Sequence, residues 1–71
     1  MKTLDVCGLS CPEPVVRTQA ALKALTAGDS LAVLADTATA RDNILRTATQ
    51  AGCQSTVEHD GDAFRILLRK A

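Results

Sequence analysis

The hydrophobic pattern changes its period along the chain, and each period predicts one element. Residues 3–7 alternate between apolar and polar side chains, which predicts a first strand. After a break at residues 8–10, four positions share the spacing of one helix face: Val15, Thr18, Leu22 and Leu25. Gly28 is expected to end this first helix, and the apolar run of residues 30–35 predicts a short buried strand.

A second helix is predicted in the middle of the chain. Residues 36–39 are expected to supply its cap, with Thr39 and Asp42 at a loose capping-box spacing, and Gly52 is expected to end it. Its inner face consists of Ile44, Leu45, Ala48 and Ala51. The alternation of strand and helix is typical of right-handed βαβ units, which place both helices on one face of a sheet.

The last two predicted strands differ in polarity. Residues 54–59 contain one strongly apolar residue, Val57, whereas residues 63–69 are rich in large apolar side chains, and Asp60-Gly61 predicts a turn between them. The polar strand suits an edge, and the apolar one needs a neighbour on each side. The sequence therefore predicts an α/β two-layer sandwich of order βαβαββ. It has a four-stranded mixed sheet, in spatial order 1-2-4-3, with two helices on one face.

Composition limits the classes of function. The chain has 71 residues, eight basic and eight acidic side chains and one aromatic residue, Phe64, so we expect a single domain over residues 1–71 and no primary nucleic-acid binding. The apolar runs are far shorter than the roughly 20 residues that span a bilayer, and the first residues lack the apolar core of a signal peptide. A cytoplasmic location is therefore expected. Three cysteines, one histidine and no CxxC pair predict no disulfide scaffold, metal site or cofactor.

The cysteine that precedes two prolines is the candidate functional residue. If Pro12 is the first helical residue, Cys11 is the N-cap, and its sulfur faces unpaired N–H groups that favour a thiolate. Pro12 and Pro14 stiffen the turn, whereas the carboxylate of Glu13 opposes ionisation, so we expect a reactive thiol that is not fully ionised. The alternative from the residues alone is a small side chain before a helix that begins with proline, which is a common arrangement.

The segment Cys11-Pro12-Glu13-Pro14, preceded by Gly8-Leu9, resembles the CPxP signature of the TusA/SirA/YedF-like family of small sulfur-carrier proteins. The resemblance covers essentially the whole chain. Further positions that resemble the family pattern are Asp5, Gly28-Asp29, Asp36, Arg41-Asp42, Gly61 and Arg69-Lys70. The chain departs from the pattern after Asp36, where the family often has a proline. The family fold is a two-layer βαβαββ sandwich like the C-terminal domain of bacterial translation initiation factor three, which agrees with the fold predicted from the residues.

The resemblance implies a carrier of sulfane sulfur rather than a stand-alone multiple-turnover enzyme. Cys11 would accept sulfur as a persulfide from a cysteine desulfurase or a rhodanese-like donor and pass it to an acceptor such as a DsrE-like protein or a thiolation enzyme. The residues that would support this site are Pro12, Glu13, Pro14, Asp36 and Arg41. Arg41 would steer an anionic sulfur group or a partner carboxylate, unless it is only a solvated helix charge. The resemblance does not select among tRNA thiolation, cofactor biosynthesis, sulfur oxidation and selenium metabolism as the pathway. Selenium metabolism is included because residues 11–18, with Ala21-Leu22, resemble the YedF branch of the family.

Other interpretations stay open beside the carrier. The protein would be a regulatory or adaptor module if the turn at residues 11–14 were a docking surface for other proteins. Cys7 would be a resolving thiol if its Cα lay within the roughly 4.4–6.8 Å of the Cys11 Cα that a disulfide requires. Otherwise Cys7 is a small residue at a strand end. His59 is interpreted as a solvated edge residue and Cys53 as a packing residue, so a Cys–His hydrolase is not expected.

Overall fold

Two helices lie on one face of a four-stranded mixed sheet. The computed structural model describes residues 2–9 and 13–70. Its elements, in chain order, are β1 (Lys2–Asp5), α1 (Glu13–Lys23), β2 (Ser30–Ala35), α2 (Ala38–Gln50), β3 (Cys53–Asp60) and β4 (Ala63–Lys70). The strands lie in the order β1-β2-β4-β3, so the predicted fold class and strand order are confirmed.

The polarity of the strands explains their places in the sheet. β1 is parallel to β2, and β4 lies antiparallel between β2 and β3. The central strand β4 carries the buried residues Ile66 and Leu68, whereas residues 54–56 of the edge strand β3 are exposed. The turn between β3 and β4 is Gly61-Asp62, one residue later than predicted, and the positive φ of Gly61 (63°) is a conformation that favours glycine.

The core lies between the helices and the side of the sheet that faces them. Ile44 of α2, Ile66 of β4 and Val33 of β2 are fully buried, with 0% of each residue exposed. The core cluster of buried residues comprises Val6, Leu22, Leu25, Leu31, Val33, Ala35, Ala40, Ile44, Ala48, Ile66 and Leu68. Neither α1 nor α2, the helices of the described chain, is long and apolar enough to cross a membrane.

The helix α1 ends at Lys23, so the prediction that Gly28 ends it is wrong. The end of the helix contacts a residue from the other end of the chain. The Lys70 ammonium group donates to the carbonyl oxygens of Leu22 (3.3 Å) and Leu25 (2.9 Å), and these hydrogen bonds stabilise the helix end. Gly28, with a φ of 89°, lies instead in the turn before β2.

The N-cap of the helix α2 lies two residues earlier than the capping box predicts. Thr37 is the N-cap, and its hydroxyl oxygen accepts a hydrogen bond from the Ala40 N–H at 3.1 Å. Thr39 lies inside the helix, and Asp42 accepts a hydrogen bond from Arg41 instead of completing a cap. The predicted capping box of Thr39 and Asp42 is therefore wrong, although the cap lies within residues 36–39 as predicted.

The buried faces of both helices differ from the predicted faces by single positions. Pro14 is buried in α1, whereas Val15 is half-buried. In α2, Leu45 is half-buried and Ala51 is the exposed C-cap, while Thr47 is buried. The Thr47 hydroxyl donates to a carbonyl oxygen of the preceding turn at 2.9 Å, so its burial leaves no polar atom unsatisfied.

Candidate functional site

The predicted persulfide residue Cys11 lies, with Ser10 and Pro12, outside the described residues. The proposed disulfide between Cys7 and Cys11 lies outside them as well. The described part of the site consists of the residues that flank this segment, which are residues 7–9 on one side and the start of α1 on the other.

The loop that leads towards Cys11 is held by two carboxylates. β1 ends at Asp5, two residues earlier than predicted, and the Asp5 carboxylate accepts a hydrogen bond from the Cys7 N–H at 2.9 Å. The Asp36 carboxylate, which follows β2, accepts one from the Gly8 N–H at 2.9 Å. The φ of Gly8 is 78°, a conformation that other residues rarely adopt, although a Cβ here would meet no atom within 4 Å. Asp36 thus joins the loop after β1 to the segment before α2.

The same carboxylates affect the thiol of Cys7, which lies in an exposed residue. Partial desolvation of the sulfur raises the pKa of this thiol most, and a hydrogen bond to Asp5 and the negative charges of Asp5 and Asp36 raise it further. The thiolate is the nucleophilic form of cysteine, so Cys7 is a weaker nucleophile at neutral pH than an unperturbed thiol. Its role as a resolving thiol stays a prediction.

The first turn of α1 presents a charged pair to solvent and a proline to the core. Glu13 and Arg17 form an ion pair at 3.4 Å, with 55% of each side chain exposed. Such an exposed pair contributes little to stability, but Arg17 partly balances the carboxylate that follows the cysteine segment. The buried Pro14 carbonyl oxygen accepts a hydrogen bond from the Thr18 hydroxyl at 2.7 Å, which fixes this turn to the buried face of α1.

Arg41 does not pair with Asp36 among the described residues. Its guanidinium carbon lies 4.7 Å from the centroid of the Phe64 ring, and its Nε donates to Asp42 at 2.9 Å. The exposed His59 also packs against Phe64, with 5.1 Å between the two ring centroids. The sequence does not predict these contacts, because the first requires α2 to pack beside β4 and the second depends on the register that pairs His59 with Phe64 across β3 and β4.

A groove lies between the first turns of α1 and α2. Its volume is about 320 Å³. The described residues that line it are Leu9, Pro14, Val15, Thr37, Thr39, Ala40 and Asn43. Of these, only Pro14 belongs to the predicted site. The sequence did not mark the others as site residues, because the groove exists only where two helices that are separate in sequence pack side by side.

Cys53 lies at the opposite ends of the two helices. It is half-buried and packs against the core cluster. It also lines a second groove, of about 390 Å³, with Lys23 and Gln50 at the helix ends. Among residues 2–9 and 13–70, no group of three or more His, Cys, Asp or Glu side chains could hold a metal ion.

The fold and the flanking residues define a small α/β sandwich of the SirA-like type. The solved structure of a SirA-like protein from Desulfitobacterium hafniense superimposes with a TM-score of 0.83 and 33% sequence identity, over 96% of this chain and 95% of that chain. The family model described as Sulfurtransferase TusA matches residues 2–70, and the chain belongs to this family.

Two archaeal relatives support the same assignment. A candidate sulfur carrier protein of Methanocaldococcus jannaschii is 39% identical, over 99% of this chain and 95% of its own length. A candidate sulfur carrier protein of Halobacterium salinarum is 40% identical, over 97% of this chain and 88% of its own length. The predicted relationship to the TusA and SirA proteins is confirmed.

Proposed function

We propose that this protein is a sulfur carrier that holds sulfane sulfur as a persulfide on Cys11. The observation that carries the proposal is the segment Cys11-Pro12-Glu13-Pro14 in a chain that matches the TusA family over residues 2–70. The two relatives named as candidate sulfur carriers support the same role.

The loading step is a transfer of one sulfur atom between two thiols. The Cys11 thiolate attacks the terminal sulfur of a donor persulfide, a new S–S bond forms on Cys11, and the S–S bond of the donor breaks. The donor leaves as a thiolate, and the persulfide proton stays with the transferred sulfur. No external oxidant or reductant is required, because one S–S bond forms as another breaks and the transferred sulfur keeps its oxidation state.

The flanking structure supports a role for this segment in transfer between proteins. Gly8 is tied to Asp36 by a hydrogen bond of 2.9 Å, and Pro14 is buried on the inner face of α1. Anchoring on both sides lowers the conformational entropy that the intervening residues lose when a second protein binds, which favours a bimolecular reaction. Glu13, Asp36 and Arg41 support the Cys11 site by their positions and by their charges.

We propose a cysteine desulfurase or a rhodanese-like protein as the donor, and a DsrE-like protein or a thiolation enzyme as the acceptor. The proposed setting is the cytoplasm, where reduced thiols are maintained, and the proposed unit is one domain over residues 1–71. The destination of the sulfur is one of tRNA thiolation, cofactor biosynthesis, sulfur oxidation or selenium metabolism. A pull-down through a mixed disulfide on Cys11 would identify the acceptor and so select among them.

Mass spectrometry of the intact protein tests the carrier directly. After incubation with a cysteine desulfurase and L-cysteine, the wild-type protein should gain about 32 Da, the mass of one sulfur atom added to a thiol. Cys11→Ser should gain nothing, whereas the matched variants Cys7→Ser and Cys53→Ser should gain the same mass as the wild type. A Cys11→Ser protein that still gains the sulfur would remove Cys11 from the role.

The adaptor interpretation predicts a different result. If the turn at residues 11–14 only docks other proteins, Cys11→Ala should leave partner binding and the cellular phenotype intact. A carrier requires the sulfur atom itself, so the same variant should abolish sulfur delivery even where partner binding persists.

A further inference from the structure

The groove between the first turns of α1 and α2 adjoins the segment that carries Cys11. Leu9 and Pro14 both line this groove, and Cys11 lies between them in the chain. Sulfur transfer requires the donor sulfur to come within bonding distance of the Cys11 sulfur. The part of the donor around its own cysteine must therefore cover the surface that adjoins this segment.

We propose that this groove receives the cysteine-bearing segment of the sulfur donor, with an uncharged apolar side chain next to the donor cysteine seated in it. The inference rests on the proposed function and assigns the recognition of the donor to residues outside the CPxP motif. Half of these residues, Thr39, Ala40 and Asn43, lie on α2, and Thr37 is its N-cap.

The lining of the groove matches an apolar and uncharged occupant. Leu9, Val15 and Ala40 supply aliphatic surface, and none of the seven described lining residues carries a charge. The neighbouring charged groups already have partners within the protein: Glu13 contacts Arg17 at 3.4 Å, Arg41 contacts Asp42 at 2.9 Å, and the Asp36 carboxylate accepts a hydrogen bond from the Gly8 N–H at 2.9 Å. A charged side chain in the groove would lose its hydration without gaining a partner there, which disfavours it.

The rim of the groove can hold an extended backbone. The side chains of Thr39 and Asn43 make no hydrogen bond to another described residue, whereas the Thr37 hydroxyl oxygen accepts from the Ala40 N–H as part of the helix cap. A hydroxyl and an amide supply both donors and acceptors, so Thr39 and Asn43 can pair with the N–H and C=O groups of a bound segment. Apolar contact and backbone hydrogen bonds together define a peptide-binding groove.

The second groove does not meet the same requirement. Its volume of about 390 Å³ is larger, but it lies at the C-terminal ends of α1 and α2, where Lys23 and Gln50 line it. It includes neither Leu9 nor Pro14, so a donor seated there would not cover the surface beside Cys11. This end of the molecule supplies the control position.

A matched pair of tryptophan variants tests the groove. Thr39 and Thr49 are both exposed threonines of α2, but Thr39 lines the groove and Thr49 lies in the last turn of the helix. Thr39→Trp should lower the kcat/KM of Cys11 loading by a cysteine desulfurase at least about tenfold, because the indole fills the groove, while Thr49→Trp should stay within about twofold of the wild type. The measurement is the time course of sulfur uptake, followed by intact mass.

A small persulfide separates docking from reactivity. Glutathione persulfide needs no groove, so it should load the wild type, Thr39→Trp and Thr49→Trp at equal rates. If Thr39→Trp loads slowly from glutathione persulfide too, the substitution has disturbed Cys11 itself and the docking inference is overturned. Equal loading of both variants by the desulfurase also overturns it.

A second variant keeps the test independent of the bulk of tryptophan. Asn43→Ala removes the rim amide without filling the groove, and it should raise the KM for the desulfurase with no effect on loading by glutathione persulfide. An unchanged KM contradicts the role of the rim. A wild-type protein that takes up no sulfur from the desulfurase or from glutathione persulfide removes the proposed function as a whole, which distinguishes that failure from failure of the groove alone.

Discussion

At the scale of single residues, desolvation and two carboxylates together raise the pKa of the exposed Cys7 thiol. Asp5 accepts the Cys7 N–H and Asp36 accepts the Gly8 N–H, each at 2.9 Å, so both carboxylates hold the loop in place. Partial desolvation raises the pKa of the neighbouring Cys7 thiol most, and a hydrogen bond to Asp5 and the negative charges of both carboxylates raise it further. The loop that leads to one candidate nucleophile thus keeps a second cysteine protonated.

The rate of Cys7 alkylation should show this shift. In a protein with Cys11→Ser and Cys53→Ser, the rate with iodoacetamide should rise with pH around a midpoint above that of the same thiol in the urea-unfolded chain, because only the thiolate reacts. Asp5→Asn keeps a hydrogen-bond acceptor and removes the charge, so it should lower the midpoint, although only in part because desolvation remains. A midpoint equal to or below that of the unfolded chain would contradict this account.

At the scale of elements, caps and long-range hydrogen bonds decide where the helices begin and end. Thr37 caps α2 through the Ala40 N–H, and Lys70 of β4 satisfies carbonyl oxygens at the end of α1. The first turn of α2 also forms one wall of the groove. The position of the cap therefore affects the candidate site as well as the helix.

Two alanine variants distinguish the cap from its neighbour in the helix. Thr37→Ala should lower the free energy of unfolding by about 1 kcal/mol, because the Ala40 N–H loses its partner. Thr39→Ala should change it by no more than a few tenths of a kcal/mol, since Thr39 is exposed and alanine is the better helix former. Urea unfolding of both proteins gives the comparison, and a larger loss for Thr39→Ala would restore the capping box that the sequence predicts.

At the scale of the whole molecule, stability depends on a small core. The chain has 71 residues, and a single core of this size rarely supplies more than about 3–5 kcal/mol of net stability. Ile44 is central to it, since it is fully buried on α2 and belongs to the cluster that joins both helices to the sheet. The free energy of unfolding that is lost when one such side chain is truncated is comparable to the entire net stability of the fold.

Truncation of Ile44 should therefore unfold much of the population. Ile44→Ala should cost roughly 3–4 kcal/mol, from lost burial and the cavity left behind. The adjacent Leu45 is half-buried, so Leu45→Ala should cost roughly 1–2 kcal/mol and leave the protein folded. Circular dichroism at 25 °C and urea unfolding measure both, and equal losses for the two variants would contradict the central place of Ile44.

The sequence alone determined the elements, their order and the choice of candidate nucleophile. Hydrophobic periodicity is a local property, and it located both helices and all four strands to within a few residues. The contrast between residues 54–59 and residues 63–69 was sufficient to place the polar strand at an edge and the apolar one inside, because burial of a strand requires apolar side chains. The CPxP segment marked Cys11 by its residue types, and the family relationship that it suggested is confirmed.

Only the tertiary structure decided the surroundings of that segment. The hydrogen bond between Gly8 and Asp36 joins residues 28 positions apart, and the one between Lys70 and Leu22 joins residues 48 positions apart. No local sequence pattern could predict either of them. The stack of Arg41 on Phe64 and the groove lined by Leu9, Thr39 and Asn43 likewise join separate elements. Side chains that are distant in sequence become neighbours only when strand register and helix packing are settled, and these depend on the burial of the core as a whole.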